Sequence, residues 1–300
     1  MYVMKKSIFK GIFIGVLFLV ALPALVAAGK EYGGRKIRLI DYNILNGMWY
    51  DQYNDYDRFV FWVNSMAPDV LTLCEGATHW DENKVSRSAD VVPRYLPDSL
   101  GTLAARWGHG YCAVGPYQDN YPVAVTSRYP IEVVQRIGKG LSHGAMHVRI
   151  CGVNYVILHL WPQKYSMDDV TKKDNGGDAF RVYEMRTILD STICNPRFKD
   201  EKYWIMTGDF NSVSPVDMKF YTDRNYDVHR MIRKYYKNDV IGDTHDGFEP
   251  SMNNGKSRID FIYCTPCVFR NVNYADTVLD DFTSEASDHL PLMMDFTLPL

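Results

Sequence analysis

Three hundred residues, 46% of them hydrophobic and 23% charged, exclude a disordered chain and suffice for a large core within one α/β domain. The formal net charge of −3 excludes a strongly basic chain built for non-specific polyanion binding. No fixed-period repeat is present, which excludes solenoids and propellers.

In chain order, Lys5, Lys6 and Lys10 precede an uncharged run from Gly11 to Ala28 that closes on Val26-Ala27-Ala28. Basic residues, an apolar stretch and small terminal residues are the layout of a secretory signal, so residues 1–28 are expected to be a signal peptide and 29–300 one catalytic domain. The rival reading is a retained anchor, because 18 uncharged residues approach the roughly 20 that span a bilayer; Pro23 and the small-residue end favour cleavage. Cleavage would remove three lysines and no acids, taking the net charge from −3 to −6. The expected location is therefore secreted, periplasmic or cell-surface. Export permits disulfides among the six cysteines, whose pairing is left open. Cys264-Thr-Pro-Cys267 lacks the second Cys pair of a zinc site and reads as structural.

Lys36-Ile-Arg-Leu-Ile-Asp-Tyr-Asn-Ile-Leu45 alternates as a strand, and a loop rich in Tyr, Trp and Asp follows it. Phe59, Trp62, Val63 and Met66 then recur at helical spacing, stopped by Pro68 before the apolar strand Val70–Cys74, which sets Glu75 at a strand end. A second helix is expected around Ser99–Trp107. Strands are expected at Tyr111–Val114, Pro122–Thr126, Ala145–Ile150 and Tyr155–Leu160, the last two joined through Cys151-Gly-Val-Asn154 as a hairpin. Further on come a helix near Ala179–Ile193, the strand Tyr203–Thr207, a helix near Tyr226–Lys237, the strand Arg258–Tyr263 and a last strand from Leu290. Hairpins mixed with helical crossovers predict packed mixed sheets flanked by helices.

Asn43, Glu75, His159, Asp209, Asn211, Asp260, Asp288 and His289 all fall at strand ends or in short polar breaks, where a rigid sheet can gather polar groups. Carboxylate and amide oxygens suit a hard cation such as Mg²⁺ or Mn²⁺, and no cysteine cluster competes for zinc. Hydrolysis of a phosphate ester needs positive charge on the non-bridging oxygens, a deprotonated water and a proton for the leaving oxygen, and this inventory supplies each. Taken singly, Asp209-Phe-Asn211 reads as a turn, Glu75 as a solvated acid and His159 as a core histidine. Asp260 is different, because an acid inside Arg-Ile-Asp-Phe-Ile must find a partner, and His289 is the candidate.

Gly208-Asp-Phe-Asn211, Ser287-Asp-His289, Pro68-Asp-Val-Leu-Thr-Leu-Cys-Glu75, Asn43-Ile44, Ser127-Arg-Tyr-Pro-Ile131 and Ser257-Arg-Ile-Asp-Phe-Ile262 together resemble the motifs of the endonuclease/exonuclease/phosphatase superfamily, in that family's order. The resemblance implies a four-layer α/β sandwich, with two packed mixed sheets flanked by helices and the active site at one edge. It also implies roles. Glu75 would be the principal metal ligand, Asn43 would lie beside it, and Asp288 would be a further metal contact. Asp209 would position or deprotonate the attacking water, Asn211 would contact the phosphate, Asp260 would orient His289, and His289 would stabilise the transition state or shuttle a proton. His159 matches a second family histidine found in the deoxyribonuclease I and sphingomyelinase branches. One departure is Leu45, where abasic-site endonucleases of the exonuclease III branch carry an acid.

The expected activity is thus an exported Mg²⁺- or Mn²⁺-dependent phosphoric ester hydrolase, acting on a small-molecule, lipid-headgroup or nucleic-acid phosphate ester. The alternative is an exported lipid- or glycan-binding protein that keeps the fold without turnover. Trp49, Tyr50, Tyr53, Trp80, Trp161 and Tyr165 would either ring the metal, ready to stack on a base, sugar or choline, or belong to a Tyr-rich surface. His79, His109, His143, His147, His229 and His245 match no motif and read as structural or surface residues.

Overall fold

A computed structural model describes residues 34–76, 96–116, 118, 121–221 and 224–298. The expected signal segment, His79 and Trp80 lie outside the described residues. Among those described, no helix is long and apolar enough to cross a membrane.

Among the described residues, twelve strands build two six-stranded sheets. The first comprises β1 (Lys36–Asn43), β2 (Val70–Cys74), β3 (Tyr111–Val114), β4 (Ala124–Ser127), β11 (Val272–Thr277) and β12 (Leu292–Thr297), in the order β11-β12-β1-β2-β4-β3. The second comprises β5 (Glu132–Ile137), β6 (Ala145–Ile150), β7 (Val153–His159), β8 (Trp204–Asp209), β9 (Asn238–Asp239) and β10 (Asp260–Cys264), in the order β5-β6-β7-β8-β10-β9. Both are mixed: β1/β2 and β7/β8 run parallel, and the other pairs run antiparallel.

Strand alternation explains the layers. Leu39 and Ile205 point between the sheets into a core shared with Val125, Val148, Ile157 and Ile262, while their neighbours Ile40 and Met206 point outward. The first outward face is covered by α1 (Asp57–Met66) and α2 (Leu96–Arg106), through Phe59, Val63, Leu100 and Leu103. The second is covered by α3 (Gly177–Ser191) and α4 (Asp227–Ile232), through Met185, Ile188, Leu189, Val228 and Ile232. The result is an α/β sandwich of four layers, in which each fully buried aliphatic side chain contributes about 1.5–3 kcal/mol of transfer free energy.

Several boundaries differ from the sequence expectations for local reasons. The fourth strand begins at Ala124 rather than Pro122, whose nitrogen has no hydrogen to donate to a ladder. The hairpin turn is tighter than expected: Cys151 (φ 50°) and Gly152 (φ 77°) both take left-handed conformations, so β7 resumes at Val153. The helix expected to reach Lys237 ends at Ile232. Strands β5 and β11 were not expected, and both are half-exposed edges whose patterns lack a clean apolar face. All six cysteines are free thiols.

Gly208 fixes how β8 passes β7 just before Asp209. Its φ of +139° suits glycine, and a Cβ there would lie 1.9 Å from the Leu158 carbonyl oxygen. Gly208→Ala is therefore expected to destabilise the protein by about 3 kcal/mol or more, measured by urea unfolding. An unchanged midpoint would contradict this packing.

Candidate active site

Strand direction gathers the polar residues at one edge. Parallel β1 and β2 end at Asn43 and Cys74, the latter followed by Glu75, and parallel β7 and β8 end at His159 and Asp209. The partners β10 and β12 run the other way, so their beginnings reach the same edge: Asp260 faces Asp209 across the ladder, and Asp288-His289 leads into β12 beside the end of β1.

The Asp209 carboxylate is the focus of this edge. Its Oδ2 accepts a hydrogen bond from Asn43 Nδ2 at 3.2 Å and lies 3.5 Å from His159 Nε2 and 3.8 Å from His289 Nε2. Its Oδ1 accepts the backbone N–H of Asn211 at 2.8 Å, a tight loop in which Asn211 takes φ 46°. The Asn211 side chain donates to the Leu160 carbonyl at 2.9 Å. His289 Nδ1 pairs with Asp260 Oδ2 at 2.8 Å, and Ser251 Oγ donates to the same oxygen at 2.6 Å. Ser287 Oγ donates to the Asn43 carbonyl at 2.7 Å, which fastens the His289 segment to the end of β1. Glu75, at φ 54°, accepts the Asn46 N–H at 2.8 Å and lies 3.5 Å from Asn43 Nδ2. Asp288 stands at the mouth, its side chain 59% exposed and 3.9 Å from His289 Nε2. All eight residues singled out in the sequence thus meet at one edge, and Glu75, His159, Asp209, Asn211, Asp288 and His289 line a cavity of about 600 Å³.

The model of the endonuclease/exonuclease/phosphatase family matches residues 42–289, from the end of β1 to His289. The chain belongs to this family. Similar folds occur in an endonuclease/exonuclease/phosphatase protein from Beutenbergia cavernae (19% identity, 88% of this chain and 72% of that one, TM-score 0.60). They occur also in a 3′-5′ exonuclease from Neisseria meningitidis (14%, 87% and 100%, 0.59) and an AP endonuclease from Archaeoglobus fulgidus (15%, 87% and 99%, 0.56). No curated protein sequence matches the chain.

In this member of the family, burial sets the electrostatics. Burial pushes the Glu75 carboxyl above its ordinary range. Burial and then the Asp260 charge push Asp209 upward as well. Burial alone would depress His289, yet Asp260 and then Asp209 carry it up to about 10. His159 moves the other way, held well below its ordinary value by burial and by its neighbours His143 and His289. The edge therefore holds one imidazole poised to be charged and one poised to be neutral.

The donor set fits a hard divalent cation. Among the described residues no lysine or arginine lines the cavity, while Glu75, Asp209 and Asp288 do, with Asp260 buried behind them. One imidazolium leaves a surplus of negative charge that burial makes costly without a cation. Asp209, Asp260 and His289 bring ligand-type atoms within 4.8 Å of one another, but the His289–Asp260 bond already engages that group. Glu75, Asn43 and Asp288 are the better oxygen donors.

Other expectations divide. Trp161 and Tyr165 line the cavity, but the Tyr50 ring packs on Phe282 and its hydroxyl donates to Glu285, away from the edge. The side chains of Tyr53 and Trp80 lie outside the described set. His109, His147 and His229 are buried structural donors and acceptors, bonded to Thr126 and Pro68, to Asn154, and to Ser212 and Tyr263. His143, also without a motif, differs from these: its ring lies 4.2 Å from that of His159 and lines the cavity beside Tyr121. Cys74 was also overlooked, and its Sγ accepts the Asp209 N–H at 3.4 Å beneath the site, linking the two sheets.

The raised value of His289 has a definite sign. A proton held more tightly in the folded state gives stability that is complete below about pH 6.5 and is lost as pH rises toward 10. In metal-free protein, His289 observed by NMR should stay protonated at pH 8. Asp260→Asn should bring its midpoint below that and flatten the loss of stability between pH 7 and 10. An unmoved midpoint would contradict the pairing.

Proposed function

We propose that this chain is an exported, Mg²⁺- or Mn²⁺-dependent hydrolase of phosphate esters. The observation that carries the reading is the convergence of Asn43, His159 and His289 on one oxygen of a buried Asp209 whose proton affinity is raised. Glu75, Asn43 and Asp288 would hold the cation. When bound, it supplies positive charge opposite the non-bridging phosphoryl oxygens.

The remaining work falls to the chain's own side chains. Asp209, a base with raised affinity, takes the proton of the attacking water, and the Asn43 amide keeps its carboxylate oriented. His289, charged and held by Asp260, faces the charge that builds on the phosphoryl group and is the proton source on that side. His159, kept neutral, accepts or donates a hydrogen bond without adding charge. Asn211, anchored to Leu160, presents an amide to the phosphate.

On the substrate, the Neisseria protein is named both as a 3′-5′ exonuclease and as a 3′ phosphatase and the Archaeoglobus protein as an AP endonuclease, which supports a phosphodiester or phosphomonoester. Leu45, at the cavity wall in place of the repair branch's acid, and the signal-like residues 1–28 favour an extracytoplasmic phosphodiester over a DNA-repair lesion. A purely binding role is not favoured, because several buried acids would then lower stability for no gain.

Mature protein beginning after Ala28, collected from the extracytoplasmic fraction, is expected to hydrolyse bis-p-nitrophenyl phosphate with Mn²⁺ or Mg²⁺ and to stop in EDTA. Asp209→Asn and His289→Ala should each lower kcat by about 10²- to 10⁴-fold. Full activity in both variants, or in EDTA, would sink the reading.

A further inference from the structure

A second cavity, of about 320 Å³, adjoins the first, and Asn211 and Ile259 line both. Its chemistry is the reverse of its neighbour's. Among the described residues, Lys164, Arg181 and Arg224 line it with a single acid, Asp178, whereas the first cavity has acids and no lysine or arginine.

The wall is built rather than incidental. Arg181 is buried, 7% exposed, and its Nη1 donates to the Trp161 and Gln163 carbonyls at 2.7 and 3.1 Å. Its Nη2 pairs with Asp178 at 2.6 Å, while its buried Nε has no hydrogen-bond partner among the described residues. The same loop is pressed onto the start of α3: a Cβ on Gly177 would lie 2.1 Å from the Gln163 carbonyl oxygen. That fixes Lys164, whose carbonyl accepts the Gly177 N–H at 2.9 Å, beside a helix N-terminus that no side chain caps. No ion pair ties Lys164 or Arg224 to an acid among the described residues. Amides of Asn175 and Asn225 complete the lining. Guanidinium, ammonium and amide groups around one hollow match an oxyanion with several acceptors.

We propose that this cavity binds a second phosphate group of the substrate, beside the phosphoryl group that reacts at Asp209 and His289. The proposal rests on the phosphoesterase reading and narrows it: preferred substrates carry two phosphates, the reacting one facing the acidic cavity and the other held by Lys164, Arg181 and Arg224. A neutral sugar or a choline headgroup would leave Lys164, Arg181 and Arg224 without an anionic partner on the substrate.

The test uses inorganic phosphate as the probe, titrated by calorimetry into metal-free full-length protein. Wild-type protein should bind in the millimolar range or tighter. The double variant Lys164→Ala/Arg224→Ala should bind about tenfold more weakly, Asp178→Asn should bind more tightly, and Asp209→Asn should bind as the wild type does. In parallel, the double variant should hydrolyse bis-p-nitrophenyl phosphate, which has no second phosphate, with unchanged kcat/KM. Absent phosphate binding, equal affinity in the double variant, no tightening in Asp178→Asn, or loss of bis-p-nitrophenyl phosphate turnover in the double variant would each overturn the proposal. Failure of the wild type to hydrolyse that ester would strike the phosphoesterase reading instead, with the binding result read separately.

Discussion

Burying carboxylates at the edge of an apolar sandwich is the constraint on which the site depends. Asp209 and Asp260 are buried and Glu75 is half-buried at the cavity wall, so all three are poorly solvated and each must be matched by something the fold provides. Asp260 is matched by His289 and Ser251, Asp209 by Asn43, two imidazoles and the Asn211 N–H, and Glu75 by the Asn46 N–H. What remains unmatched is negative charge beside Glu75 and Asn43, which is the electrostatic case for a cation there. The same low dielectric that makes the acids costly strengthens every interaction they make with a reacting phosphoryl group.

The scaffold answers this constraint with rigid devices at each strand end. Behind Asp260, the Arg258 guanidinium is buried between Asp217 and Asp239, with Nε–Oδ2 and Nη1–Oδ1 contacts of 2.8 Å, so β10 enters its sheet from a fixed point. Gly208 lets β8 approach the Leu158 carbonyl closely enough to set Asp209 next to His159. Cys74 bridges beneath, its Sγ donating to the Leu158 carbonyl at 3.2 Å and accepting from Asp209 N. Positions are thereby held by backbone geometry and by side chains that are themselves buried and paired, which is what orientation-dependent chemistry requires. The adjoining basic cavity shares Asn211 and Ile259 with the acidic one, so one chain sets an acidic and a cationic hollow side by side.

Much of this was legible in the sequence because central strands carry strong signals. Val70–Cys74 and Trp204–Met206 are short, mostly apolar runs, and an acid or amide just beyond such a run stands out. Asp260 was legible for the complementary reason, an acid among apolar neighbours that had to have a partner. Two edge strands were not: Glu132–Ile137 and Val272–Thr277 are half exposed, so their side chains need not alternate. Aromatic placement failed as well. Tyr50 lies only seven residues beyond Asn43, but left-handed residues at Leu45, Asn46 and Met48 turn the chain away toward Phe282 and Glu285. His143 matched no motif, and its ring reaches that of His159 from the residues just before β6, beyond the register of the β6–β7 hairpin.

The central claim is that the Asp209 edge directs a water molecule onto phosphorus. Hydrolysis of bis-p-nitrophenyl phosphate in ¹⁸O-labelled water, analysed by mass spectrometry, tests it most directly. The account predicts one labelled oxygen in the p-nitrophenyl phosphate product and none in the p-nitrophenol. Label in the p-nitrophenol, or a phosphorylated protein accumulating during turnover, would contradict it.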